Sequence, residues 1–292
     1  MGNGIQSIHP FVMFFYYSCV GFFAMFFNHP IFLLAGCLSL LAVNLAHDSM
    51  RALKQWAPMM IIMALLISLI NPFINSRGTH IFFYFRGKQV TLEATLYGIV
   101  SSMSLIMILM LFISLNAVLN GNKLLYIFSR ILPKTAFLVM LSIRFVPLLR
   151  RRLTEIQDVQ RLKGMTVRQG TIRNRAKSGM SIMQILLAWS LEEAIETADS
   201  MKARGYGTGK RSPYIPYRIT KMDRNWLVYL VLFFIISIVG GFLGYGKIII
   251  YPQLGTLHLY SLDWVVLFSS LAVTLFPVFV EGREQLKWNY SA

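Results

Sequence analysis

Residues Tyr97–Leu119 read YGIVSSMSLIMILMLFISLNAVL, 23 positions without one charged side chain. Coiled as an α-helix at 1.5 Å per residue, such a run reaches about 35 Å, enough to cross the ~30 Å hydrocarbon core of a bilayer. A Lys, Arg or Asp at its centre would cost roughly 2.5–3.5 kcal/mol, so a long run free of them predicts a transmembrane helix. Five further runs share this character: Phe11–Phe27, Ile31–Ala46, Ala57–Ile74, Trp226–Gly246 and Asp263–Val280. The first two are short and separated only by Asn28-His29-Pro30, which predicts a tight helical hairpin. One more apolar stretch, Thr135–Leu149, contains Arg144 and Pro147. It reads either as a full span or as the buried start of a longer helix.

Composition agrees with the runs. Of 292 residues, 56% are hydrophobic and 14% charged, against roughly 25% charged in soluble domains. That excess of apolar surface excludes a soluble enzyme, a disordered chain and a disulfide framework. Cys19 and Cys37 lie inside apolar runs, with no partner at metal or redox spacing, and read as small packing residues. No Lys or Arg precedes the first run. Phe11–Phe27 therefore lacks the basic start of a cleavable signal peptide and is expected to be retained.

The stretch Arg150–Arg224 is different in kind. It holds 16 of the 28 basic residues and seven of the 12 acids, in a chain whose net charge is +16. Such a density of charge cannot sit in hydrocarbon. The excess of Lys and Arg marks a cytoplasmic segment rather than a nucleic-acid binder. With four spans before it and two after, both chain ends fall on the cytoplasmic side. Arg51 and Lys54 fit that orientation as a short inner loop; Arg77, Arg86 and Lys88, in an outer loop, do not. The expected divisions are residues 1–149 for the N-terminal membrane helices, 150–224 for a cytoplasmic helical domain, and 225–292 for a C-terminal membrane hairpin and tail.

Within the basic segment the apolar period is helical. Leu149, Leu153, Ile156 and Val159 form one stripe, predicted to end at Gly164. Ile182, Ile185, Trp189, Ile195, Ala198 and Met201 form another, ending at Gly205 after Lys202 and Arg204. Positive charge in a last helical turn suits the helix dipole. Gly205 to Gly209, with Pro213 and Pro216 beyond, reads as loop.

Motifs for chemistry are missing. His9, His29, His47, His80 and His258 show no metal-ligand spacing, and Asp263 is the one acid within the six runs. Gly209-Lys210 is followed by Arg211 and preceded at five residues by Arg204, so it is not a P-loop. No catalytic, cofactor or metal site is expected. If ATP drives this protein, a partner binds it. Tyr206, Tyr214 and Tyr217 are the only aromatics placed to stack on a nucleic acid, and they lie in a loop.

Three stretches together resemble the transmembrane T component of energy-coupling factor (ECF) transporters, the CbiQ-like family. One is Asn71-Pro72-Phe73, Arg77-Gly78, Thr91-Leu92-Glu93-Ala94 and Tyr97-Gly98. The second joins Leu132-Pro133, Arg144-Phe145-Val146-Pro147 and Gln160-Arg161-Leu162-Lys163-Gly164. The third runs from Glu196 to Gly207 and contains Ala203-Arg204-Gly205, similar to the family's Ala-Arg-Gly motif at the end of a coupling helix. The sequence departs from the family at the first such motif, where Leu162-Lys163-Gly164 stands in its place.

The resemblance implies an all-α polytopic membrane protein of about six transmembrane helices, with a basic cytoplasmic coupling domain before the last two. It implies a non-catalytic subunit between two ABC ATPases and a substrate-binding membrane S component, importing a vitamin, vitamin precursor or metal ion. Arg161, Leu162, Lys163, Gly164, Ala203, Arg204 and Gly205 would dock on the ATPases. The implied place is a bacterial or archaeal plasma membrane; neither a cofactor nor nucleic acid is implied. The permease subunit of a conventional ABC transporter is the alternative, which paired basic–glycine helix ends disfavour.

Overall fold

A computed structural model describes residues 8–46, 50–75, 78–85, 88–164, 171–209, 217, 219–251, 255 and 258–291. His47, Arg77, Arg86, Lys210, Arg211, Pro213, Tyr214 and Pro216 lie outside the described residues. The described chain is almost wholly helical: α1 Pro10–Phe26, α2 Pro30–Ala46, α3 Met50–Ile74, α4 Leu92–Val118, α5 Gly121–Ile131, α6 Pro133–Leu162, α7 Ile172–Ala203, α8 Lys221–Phe242, α9 Ser261–Thr274 and α10 Phe276–Ser291. A two-stranded antiparallel hairpin, β1 Ile81–Phe85 and β2 Lys88–Thr91, joins α3 to α4. The molecule is an all-α polytopic membrane protein. Two compact units form, one from Met1–Leu124 with Tyr217–Ala292, the other from Leu125–Pro216.

In the first unit, α3, α4 and α8 are each long and apolar enough to cross a membrane. At 17 residues, α1 and α2 reach about 26 Å and fall short of a ~30 Å core by themselves. The run Asp263–Val280, read as one span, is instead broken. α9 and α10 meet at a 51° bend. Pro277 stands at the second position of α10; without an N–H, and with a ring that collides with the carbonyl four residues back, it prevents α9 from continuing. Arg51 and Lys54, expected in a loop, lie in the first turns of α3. The segment Asn75–Glu93, read as loop, contains β1, β2 and the first two residues of α4.

α1 is the most enclosed helix. Val12, Met13, Tyr16, Cys19, Val20, Phe23 and Ala24 are all buried, and Phe27, Leu33, Leu111, Leu230, Val266 and Phe276 pack in the same core. Buried polar side chains in this core bond between helices. Tyr16 Oη donates to the Thr274 carbonyl at 2.9 Å, Tyr17 Oη and Ser114 Oγ are 2.8 Å apart, and Ser237 and Ser269 share a hydrogen at 2.7 Å. Close approach depends on missing side chains. A Cβ on Gly240 would strike Val266, and one on Gly241 would strike Phe26.

The first two helices begin alike. His9-Pro10 and His29-Pro30 put proline at the first helical position, where its missing N–H is harmless. In each case the preceding imidazole Nδ1 accepts the next free N–H, from Phe11 at 3.2 Å and Ile31 at 3.3 Å. Each corner is tied to a later helix start. The His9 N–H donates to Asp223 Oδ1 at 3.1 Å, inside the capping box of α8. The His29 N–H donates to the Gly246 carbonyl, and the Gly246 N–H to Asp263 Oδ1 at 2.9 Å. The helices that follow the charged insertion are thereby latched onto those that precede it.

The second unit is built on α6 and α7. Thr135–Leu149 is not a helix of its own: α6 runs unbroken for 30 residues through Pro147 and Arg150. Nor is this stretch buried. Leu138, Val139, Met140, Ile143, Val146 and Leu148 are exposed, and Ala136 is its one buried residue.

Candidate functional site

Both long helices of the second unit end in the same way. α6 stops at Leu162, with Lys163 as its C-cap and Gly164 next at φ +78°. The Gly164 N–H donates to the Arg161 carbonyl at 3.0 Å. α7 stops at Ala203, with Arg204 as its C-cap and Gly205 at φ +76°. Here the Gly205 N–H donates to Lys202 O at 2.9 Å and the Tyr206 N–H to Met201 O at 2.9 Å. That pair of bonds is a Schellman motif, which needs a left-handed residue after the cap and so selects glycine. The local sequence thus fixes two helix ends with a basic residue at the last carbonyls, where the dipole is negative.

Arg161, Leu162, Lys163 and Gly164 are all exposed, as are Ala203 and Arg204. Leu162 is 89% exposed, an apolar side chain standing beside a cation. Arg161 lies 3.6 Å from Asp158, one turn back on the surface, a pairing worth at most a few tenths of a kcal/mol. Among the described residues neither Lys163 nor Arg204 makes an ion pair.

The structure gathers each triplet at its own helix end and does not bring the two triplets together. Phe137, near the start of α6, stacks on Tyr206, just past the end of α7, with ring centroids 5.0 Å apart and planes at 23°. Arg152 lies over the Trp189 ring at 4.8 Å. Between these contacts, fifteen residues forward on α6 correspond to seventeen back on α7, so the helices run antiparallel. From Phe137 to Lys163 the path along α6 is about 40 Å. The two basic–glycine ends therefore lie about that far apart, at opposite ends of one helix pair.

The motif residues of the first unit also assemble, but as a clasp. The Glu93 carboxylate, wholly buried, accepts hydrogen bonds from the Thr79 N–H, the Thr79 hydroxyl and the His80 N–H, each at 3.1 Å. Gly78 has φ +138°, and a Cβ there would collide with Glu93. Gly98 lies against Ser68 and Asn71, closing α3 onto α4. Asn71-Pro72 does not terminate its helix, since α3 continues to Ile74. Sequence reasoning missed Phe137, Arg152 and Trp189 as a set. Their spacing has meaning only once the register of α6 against α7 is known.

The family model for CbiQ, described as a cobalt transport protein, matches residues 6–215. The chain belongs to the CbiQ family. Its relatives in that family include the energy-coupling factor transporter transmembrane protein EcfT of Lactobacillus helveticus, 33% identical over 111 residues, covering 38% of this chain and 40% of the relative. EcfT of Bacillus subtilis is 29% identical over 98 residues, 33% of this chain and 37% of the relative. A Mycoplasma pneumoniae protein of uncharacterised role is 30% identical over 104 residues, 35% of this chain and 24% of its own length. The matched segments thus span two fifths or less of these relatives. Transport is the role that both the CbiQ description and the EcfT name carry.

Proposed function

We propose that this chain is the transmembrane coupling subunit of an ECF-type importer. Two cytoplasmic ABC ATPases bind ATP, and a separate S component in the membrane carries a vitamin, vitamin precursor or metal ion. The observation that carries this reading is the pair of exposed basic–glycine ends at opposite ends of α6–α7. A separation of about 40 Å suits two sites on two ATPase subunits better than two sites on one. Arg204 offers a planar guanidinium able to hold a partner carboxylate through two parallel hydrogen bonds. Lys163 offers a point charge, with the exposed Leu162 beside it. When the ATPases approach one another, the two ends are pushed, and the helix pair passes that motion to the membrane helices and the S component.

In this reading α1, α2, α3, α4, α8 and the bent α9–α10 pair are six crossings of a bacterial plasma membrane, and the charged residues between Arg150 and Arg224 face the cytoplasm. The chain itself does no ATP chemistry. Purification from the native membrane should recover two ATPase subunits with it. ATP hydrolysis by the purified chain, with no other protein present, would contradict the proposal. Labelling of Ser178→Cys by an impermeant thiol reagent on intact cells would reverse the orientation.

A further inference from the structure

The second unit has little to hold it in shape. Among its described residues only Ile127, Ala136, Gln160 and Ile182 are buried. Two long helices with so small a core should slide and splay unless discrete contacts fix them. Among the described residues such contacts include Arg152 over Trp189 near the middle and Phe137 on Tyr206 at one end.

Tyr206 is placed by the turn that ends α7. Gly205 at φ +76° and Gly207 at φ +94° flank it, and its N–H closes the Schellman motif on Met201. Two left-handed glycines reverse the chain within three residues and hand the ring to the neighbouring helix. Tyr206 is 43% exposed, so this is a surface stack and not a core contact. Its position two residues beyond Arg204 makes any displacement of the Arg204 end also a displacement of Tyr206.

We infer that Phe137 and Tyr206 are positioning residues for coupling: their stack clamps the Arg204 end of α7 to the start of α6. The inference rests on the coupling role proposed above. A push at Arg204 then moves α6 at once instead of bending the last turns of α7. The Arg152–Trp189 contact serves as the pivot about which the clamped pair turns. Without the clamp the docking end still binds its ATPase, and ATP is still hydrolysed, but motion is lost between the two helices.

The test uses the complete complex with both ATPases and an S component, reconstituted in proteoliposomes. Tyr206→Leu, Phe137→Leu, the double variant and Tyr206→Phe are compared by ATPase recovery, ATP hydrolysis, and substrate taken up per ATP. The expected result is normal recovery and hydrolysis in all four. Uptake per ATP should fall about threefold to tenfold in both Leu variants, the equilibrium factor of one aromatic pair. The double variant should fall no further than either single, since one contact is shared. Tyr206→Phe keeps the stack and should match wild type. Unchanged uptake per ATP in Tyr206→Leu would overturn the inference. So would uptake and hydrolysis falling in equal proportion, or loss of assembly in the Leu variants, which would make the rings docking or folding contacts. Arg204→Ala runs alongside: if it assembles as wild type, the coupling reading fails by itself, whatever Tyr206 does.

Discussion

Arg204→Ala separates a docking residue from a helix cap because the structure assigns the two roles different energies. In the isolated chain the Arg204 side chain is exposed and makes no ion pair among the described residues. Its removal there costs only the charge–dipole attraction at the end of α7, about 0.3–1 kcal/mol. The turn itself survives, because its hydrogen bonds come from the backbone of Gly205 and Tyr206. Docked on a partner carboxylate, the guanidinium would contribute about 1.5–3 kcal/mol through charge-assisted bonds, which is about a tenfold to 150-fold change in affinity. The expected outcome is a thermal midpoint in detergent close to wild type, with ATPase affinity reduced by at least about tenfold. Arg204→Lys should recover part of that loss, since a point charge remains but the fork does not. Lys163→Ala should cost less than Arg204→Ala for the same reason. Titration of purified ATPase onto immobilised chain measures all three. Wild-type affinity in Arg204→Ala, or full recovery in Arg204→Lys, would refute the reasoning.

Two further expectations concern the first unit. Glu93→Ala leaves three donors around a buried site without their acceptor, and should destabilise the chain by about 3–5 kcal/mol; an unchanged thermal midpoint would show that the clasp carries little stability. Burial holds the His29 imidazole below its ordinary value, with the Asp263 charge opposing. The folded protein therefore binds this proton less readily than the unfolded chain, and the corner around His29 should lose stability as pH falls through about 6.5 and below. Thermal midpoints taken between pH 8 and pH 5, about the range in which histidine titrates, should fall, and His29→Gln should flatten that fall; an equal slope in His29→Gln would remove His29 as its source.

The parts of the fold readable in advance were those set by local physics. Tyr97–Leu119 announces α4 because no charge interrupts it, and Gly164 and Gly205 announce helix ends because a left-handed residue must follow each cap. β1 and β2 were not legible. Ile81–Phe85 is a run of five apolar residues without alternation, and its partner strand, Lys88–Thr91, is only four residues long. The break between α9 and α10 was hidden by an apolar run that continues through Pro277, although the proline was in plain view. Most of the candidate site shows the same division. Lys163 and Arg204 declare themselves by their neighbours in sequence. The contact of Phe137 with Tyr206 joins residues far apart in the chain, and nothing local specifies which face of α6 meets which turn of α7. The latches of His9 to Asp223 and of His29 through Gly246 to Asp263 are hidden for that reason too.

The most direct test of the coupling account is photo-cross-linking from both helix ends within one assembled complex. A photoreactive residue replaces Leu162, Ala203 or both, and the products are sized after denaturation. The account predicts that each single variant attaches one ATPase subunit, and that the double variant yields a species with the mass of this chain plus two ATPases. A double variant that attaches both ends to one ATPase, or either end attached only to the membrane partner, would contradict it.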